Sequence, residues 1–549
     1  MIMIIVIINV NKFGKGVKMS KKFLTVLLIV VLSISIIGCN NTKATTTVAK
    51  EINICESWGF DTGFSTVVVG ESLGIFYYLS NFYDTLVIYE DGKIKPGLAK
   101  SWEIQGNDIT FKLRDNVKFS DGEEFNANVV KLNFENIPKL LGERYLGAYG
   151  KVLTLLKEVE VVDNLTVKLR FTKPYYGLLY DLTMLRPMAM MSPNAFTKEG
   201  CSPKLLSSTM GTGPYMLQSF EENISYTFVK NPYYWGEQPD VEKFTIKVIP
   251  DNEAKALALR LGEVDIIIGD DKTSYNSFVD FREQPNFETK ISNADIKTRY
   301  FILNSETEYF RDIRVRQAVS LAIDKSKICT YILNNIEEQT DNFLSKKLPY
   351  CNVDLEPKKL NINLAKKLLT EANWVDKDGD GIREQNGKKL AIKIVHRSGM
   401  GAEEDMVLAV ANSLHEIGFE VKTEGLEMLT WYTSLAKGNF DIGYNETYGF
   451  PYDPYTTINN LGSNSADPAT MRIMASSKNI DNMLKELLSC TNKDRITEIY
   501  NIVLKDIYDN YTSVPISFMK QLAIYNDKIS DYVFFGQPFY IDIAGVKLK

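Results

Sequence analysis

From Ile52 to the C-terminus, short runs of period two alternate with amphipathic stretches of period 3.6, and no internal repeat or long Pro/Gly/Ser linker interrupts them. That alternation predicts an α/β chain in which helices cover sheets. The missing linker predicts lobes joined by crossing strands, not domains tethered like beads. Residues 109–113 (ITFKL) and 165–171 (LTVKLRF) alternate as half-buried strands do. Asn126 is placed to cap a helix with Val130, Phe134 and Ile137 on one face. Further helices are expected over 254–261, 314–328, 364–372 and 406–417, with a buried strand over 264–268.

Location follows from the opposite end of the chain. Residues 19–39 read MSKKFLTVLLIVVLSISIIGC: two lysines, an apolar run over 23–37, then Gly38-Cys39. Fifteen apolar residues suit a secretory signal and fall short of the roughly 20 that span a bilayer. The ending resembles a bacterial lipobox, which implies cleavage before Cys39 and lipidation of its thiol. Residues 1–38 are therefore read as a signal peptide, with Met19 as the start in place of Met1. Residues 39–50 are read as a lipidated tether holding the body outside the cytoplasmic membrane.

Charge excludes one class of partner. Five lysines and no acids precede residue 39, so the other 511 residues carry 58 bases against 69 acids, a net of −11. Nucleic-acid binders need clustered positive charge to displace counterions, and no basic tract exists here. The five remaining cysteines (55, 201, 329, 351, 490) form no CxxC, so buried free thiols are expected. Of the two histidines, His415 lies on the 406–417 helix pattern and reads as a packing or surface residue; with His396 alone, a His/Cys metal cage is hard to build.

Several ordered motifs carry a family resemblance. Residues 99–122 read AKSWEIQGNDITFKLRDNVKFSDG; GTGPY follows at 211–215, NPYYW at 231–235, LGEVD at 261–265, VRQAV at 315–319 and AID at 322–324. Residues 366–374 and 376–384 continue the pattern. Together these resemble the family 5 extracytoplasmic solute-binding proteins of peptide and nickel ABC importers. The resemblance implies an α/β, two-lobed class II periplasmic-binding-protein-like fold with a ligand cleft between the lobes. Lobe I would take 51–295, lobe II 296–515, and the tail 516–549 would return to lobe I. It also implies a non-enzyme without a cofactor, a permease and its ATPase as partners, and a monomer. No HExxH or GxSxG motif argues otherwise.

Two segments are similar to the nickel-binding subgroup. Leu185-Arg186-Pro187 sits within MLRPMAMM, and 448–454 reads YGFPYDP. A guanidinium in apolar surroundings needs an anion, and its fork suits a carboxylate, either the protein's own or a ligand's. By the resemblance, Arg186 and Arg144 address ligand carboxylates, while Tyr149, Tyr448 and Tyr452 form aromatic walls. A histidine that the subgroup uses on the metal would fall near Ser465, where this chain has none. The ligand is therefore expected to be Ni(II) or another transition metal held by a small chelator such as histidine, without direct protein ligation. A di- or oligopeptide is the alternative cargo. The run DKDGDGI at 376–382 resembles half an EF-hand loop, but Gly387 stands at position 12, so a Gly-rich turn is expected. The Met-rich 188–191 segment is read as a packed apolar strand.

Overall fold

The computed structural model describes residues 50–549 except 68–72, 91, 450–453, 464, 466, 475–476, 478–479 and 538; the side chains of Leu73, Arg144 and Tyr145 are also outside the description. The signal peptide, Cys39 and most of the tether lie outside the described residues. Among the described residues, no helix is long and apolar enough to cross a membrane.

Two large sheets organise the body. The first has seven strands, ordered Tyr215–Glu221, Ser225–Lys230, Lys243–Val248, Glu51–Glu56, Ile266–Ile268, Leu522–Asn526, Phe287–Ile291. The second has six: Glu338–Gln339, Ser513–Met519, Lys297–Leu303, Ile442–Glu446, Ala391–Arg397, Glu420–Leu426. The chain passes between them twice, between Ile291 and Lys297 and between Met519 and Leu522. The second passage falls later than the 515/516 boundary, because the buried strand Ser513–Met519 pairs with Lys297–Leu303 in the second sheet. A hydrophobic cluster including Cys55, Phe278, Phe301 and Ile524 draws on strands of both sheets.

Local elements follow the sequence rules. The helix Ala127–Tyr145 is capped by Asn126, whose side-chain oxygen accepts from the backbone N–H of Asn128 at 3.0 Å and Val129 at 3.2 Å. Val130, Phe134 and Ile137 are all buried. The strands Asp108–Leu113 and Thr166–Phe171 pair antiparallel in a four-stranded sheet. The five cysteines are free.

Two expectations fail for physical reasons. The helix read over 314–328 stops at Ala322, and a new turn starts at Lys325. Asp324 caps that turn by accepting from Lys327 N–H at 3.0 Å, so a short polar side chain competes with helix continuation. The 188–191 segment is fully buried but joins no sheet among the described residues; residues 185–188 form a tight non-helical turn instead, closed by the N–H of Met188 on the Met184 carbonyl and of Ala189 on the Leu185 carbonyl. Pro187 lacks the N–H that a paired strand requires.

Candidate functional site

Arg186 is 5% exposed, and its guanidinium carbon lies 4.5 Å from the centroid of Tyr149 and 5.3 Å from that of Phe76. Both rings lie within cation–π range and stabilise the buried cation. Tyr149 reaches this position on a turn between two positive-φ glycines, Gly147 and Gly150. Buried Asp181 shapes that turn: its Oδ2 accepts from the N–H of Lys151 at 2.6 Å and Val152 at 3.0 Å. A Cβ at Gly150 would lie 2.4 Å from the same carboxylate, so only glycine fits there.

Burial pushes the Asp181 carboxyl up to about 7, against the pull of the Val152 and Lys151 amides, Tyr175 and the Lys151 ammonium. An acid raised on folding contributes stability that is fully present below its unfolded pKa near 4 and lost as pH rises through about 7. Asp181→Asn is therefore expected to flatten the fall in stability between about pH 4 and 7. Asp181→Ala should lower stability by about 1–3 kcal/mol by orphaning two amides, and should weaken ligand binding as Tyr149 loosens. Urea titrations across pH, paired with ligand titrations, check both.

Tyr448 follows the central strand Ile442–Glu446 of the second sheet yet packs on the core beside the first. Its hydroxyl donates to Asp467 and accepts from Asn460 Nδ2 at 3.3 Å. Burial first, and the Asp467 carboxylate second, hold that phenol protonated. At Gly449 (φ +79°) a Cβ would meet the Ile296 carbonyl at 2.6 Å and the Phe539 ring at 3.6 Å. Phe539 lies 4.9 Å from Phe76, so a chain of contacts links this loop to Arg186. Tyr452 lies outside the described residues, as does the side chain of Arg144, whose backbone follows the helix break at Gly142. Ser465, where a metal-binding histidine was sought, donates from Oγ to the Asp467 carbonyl at 3.0 Å.

The two sheets' surroundings also meet through tyrosines. Tyr180 stacks on Tyr455 at 4.3 Å, and Tyr176 lies 5.3 Å from the same ring. The hydroxyls of Tyr176 and Tyr500 are 3.1 Å apart, and Asn459 Nδ2 donates to Tyr175 at 3.4 Å. Truncating Tyr455 to alanine is expected to weaken ligand binding about 2- to 10-fold by favouring lobe opening, since such ring pairs contribute about 0.5–1.5 kcal/mol. Small-angle scattering should then show a larger unliganded particle.

A buried ionic chain runs beside these contacts. Lys272 and Glu56, both fully buried, pair at 2.5 Å, and the Lys272 ammonium lies 4.2 Å from the Trp58 ring. Lys297, on the strand that enters the second sheet, stands 3.5 Å from both Asp270 and Glu446. Glu446 also pairs with Arg397 at 2.7 Å and Arg299 at 3.2 Å. Burial alone would raise its carboxyl, but Arg397, Lys297 and Arg299 pull it well below the carboxylate range.

The family model for bacterial extracellular solute-binding proteins, family 5 (middle), matches residues 93–469. The chain belongs to this family. The nickel-binding periplasmic protein of Escherichia coli K12 is 29% identical over 450 residues, covering 81% of this chain and 85% of the relative. The probable D,D-dipeptide-binding protein DdpA of the same organism is 26% identical over 468 residues, covering 82% and 86%. NikA of Brucella suis, solved with Fe(III)-EDTA, superposes with a TM-score of 0.85 at 28% identity, over 91% of this chain and all of that one. The family fold is thus the two-lobed class II α/β architecture, with its cleft between lobes. The relatives are solute-binding proteins, and those of the family act outside the cytoplasm.

Sequence reading missed Phe76, Asp181, the tyrosine contacts and the ionic chain. The Gly147/Gly150 pair around Tyr149 signalled a tight turn, and Gly269-Asp270-Asp271-Lys272 signalled dense charge. Nothing local marked Phe76. In the 376–382 turn, Asp376 accepts from the N–H of Gly379 and Gly381, and ligand oxygens of Asp376, Asp378 and Glu384 lie within 4.8 Å of one another.

Proposed function

We propose that this family member captures a nickel (or other transition-metal) chelate between its lobes and delivers it to an ABC permease with its ATPase. The observation that carries the reading is Arg186, a buried guanidinium within cation–π range of Tyr149 and Phe76, with Phe539 standing between Phe76 and Gly449 of the Tyr448 loop. A planar guanidinium fork suits bidentate capture of a chelator carboxylate. Arg144 is assigned a second carboxylate, and Tyr448 and Tyr452 the opposing wall. The metal itself is cargo whose coordination comes from the chelator, histidine being the first choice because imidazole suits nickel. Related proteins support this: NikA of Brucella suis is bound to Fe(III)-EDTA, and NikZ of Campylobacter jejuni to Ni(L-His).

Lobe I is taken as 51–295 with the C-terminal return, and lobe II as the segment between. Contacts made only when the lobes close shift the open–closed equilibrium, and the permease reads the closed form. The mature chain acts as a monomer, anchored through lipid on Cys39 to the outer face of the membrane. Micromolar affinity requires about 8 kcal/mol, within reach of two guanidinium–carboxylate pairs and an aromatic wall.

The similarity to DdpA keeps peptide cargo as a second reading. Thermal unfolding separates the two, because a ligand of the native state raises the midpoint by mass action. Ni²⁺ with excess L-histidine should raise it, Ni²⁺ alone should not, and a peptide mixture should leave it unchanged. A shift with peptides alone would overturn the chelate reading.

A further inference from the structure

Besides the Arg186 region, the molecule holds a cavity of about 160 Å³ whose polar lining includes Ser80, Asp84, Gln537 and Asp542 beside Thr85, Thr183 and two tyrosines, with Trp235 and Phe535 among its walls. No lysine, arginine or histidine lines it among the described residues. Gln537 is 2% exposed; its Nε2 donates to the Thr183 carbonyl at 3.4 Å, while its Oε1 is buried without a donor. The Ser80 hydroxyl, also buried, has no partner either among the described residues. Asp84 is fixed in place, its Oδ2 accepting from Thr212 Oγ1 at 2.7 Å and Trp235 Nε1 at 2.9 Å.

Buried polar groups are normally satisfied, so unmet acceptors in a lined cavity point to a guest that donates. Arg114, 4.4 Å from the Trp235 ring centroid, and Lys547 act on these two carboxyl groups from outside the lining; with no base in the lining itself, the carboxyl groups ask for the guest to be cationic. The volume is about five times the ~30 Å³ share of one water in the liquid. A bare hard cation prefers six or more oxygens around it, whereas here the oxygen-bearing side chains share the wall with Trp235, Phe535, Ile88, Leu185 and Pro214. Aromatic walls suit an organic cation, and a short stem fills the remaining space.

We propose that this cavity is a second ligand site, which takes a small primary ammonium on a short apolar stem. The ammonium donates to Asp542, Asp84 and Gln537 Oε1, and the stem lies against Trp235 and Phe535. This assignment does not depend on the chelate reading and is tested without nickel.

Binding should depend on pH. Burial pushes Asp542 up to about 7, with the Ala544 amide and Lys547 opposing and Asp84 adding to the rise. Asp84 is itself raised by burial, against Trp235, Thr212 and Arg114. The other facing groups, the phenols of Tyr83, Tyr215, Tyr234 and Tyr532, stay protonated. An ammonium requires the ionised carboxylate, so affinity rises as pH rises through about 7.

The test is calorimetric titration of the full chain with ethylammonium chloride at fixed ionic strength, with potassium chloride, tetraethylammonium chloride and ethanol as comparisons. Saturable binding of ethylammonium alone is expected, tightening at least threefold from pH 6 to pH 8. Asp542→Asn should weaken it at least tenfold. If that variant does not fold, Gln537→Leu serves in its place, and the salt comparison needs no variant. Potassium binding as well as ethylammonium, ethanol binding equally, or no saturable heat with ethylammonium would each overturn the proposal.

Discussion

Replacing Arg186 with alanine is expected to weaken binding of the nickel–histidine chelate by about 100-fold or more while leaving the fold intact. Each hydrogen bond to a charged partner contributes about 1.5–3 kcal/mol, and a bidentate pair loses two at once. The rest of the site would survive, because Tyr149 is held by the Gly147–Gly150 turn and Asp181, not by Arg186 itself. Arg186→Lys should recover little, since an ammonium keeps the charge but lacks the planar fork and fits less well between rings. Calorimetry with circular dichroism on both variants checks this. A variant that binds the chelate normally would make Arg186 a packing charge.

The second large effect is on stability. Glu446 faces Lys297, Arg299 and Arg397, and its side chain is only 10% exposed. Glu446→Ala leaves three cations around an empty position, and breaking a buried pair in this way costs about 3–5 kcal/mol. Lys297 would retain Asp270, Arg299 would retain Glu337 and Arg397 would retain Glu403, so the loss is partial for each cation. The sign of the pH dependence follows from the lowered carboxyl. Its contribution is fully present above the unfolded value near 4.5 and is lost as pH falls through the folded one. Wild type should therefore lose more stability on acidification than Glu446→Ala does, as read from urea midpoints at successive pH values. Because Lys297 lies where the chain enters the second sheet, the variant should also change how readily the lobes open.

The elements that could be read in advance are those whose cause is local. Asn126 caps its helix because a side-chain oxygen reaches amides two and three residues on, and that geometry is written in the sequence. The strands 109–113 and 166–171 show their buried faces through simple alternation. Arg186 stood out because a charge inside MLRPMAMM demands an explanation. Its ring partner Phe76 did not, since 110 residues separate them and an apolar residue in an apolar run carries no mark. The Tyr180–Tyr455 stack, the Glu56–Lys272 pair and the Lys297–Glu446 contact likewise join distant segments. Asp324 shows the reverse case: periodicity over 314–328 predicts one helix, while the fold stops it at Ala322 and uses Asp324 as the cap of a new turn.

Diffraction at the nickel edge from crystals grown with Ni²⁺ and excess L-histidine decides what the cleft holds. One anomalous peak is expected between the Arg186 guanidinium and the Tyr448 loop, with histidine atoms completing the coordination and a chelator carboxylate on Arg186. A peptide in that space, or a metal bound elsewhere directly by protein side chains, would contradict it.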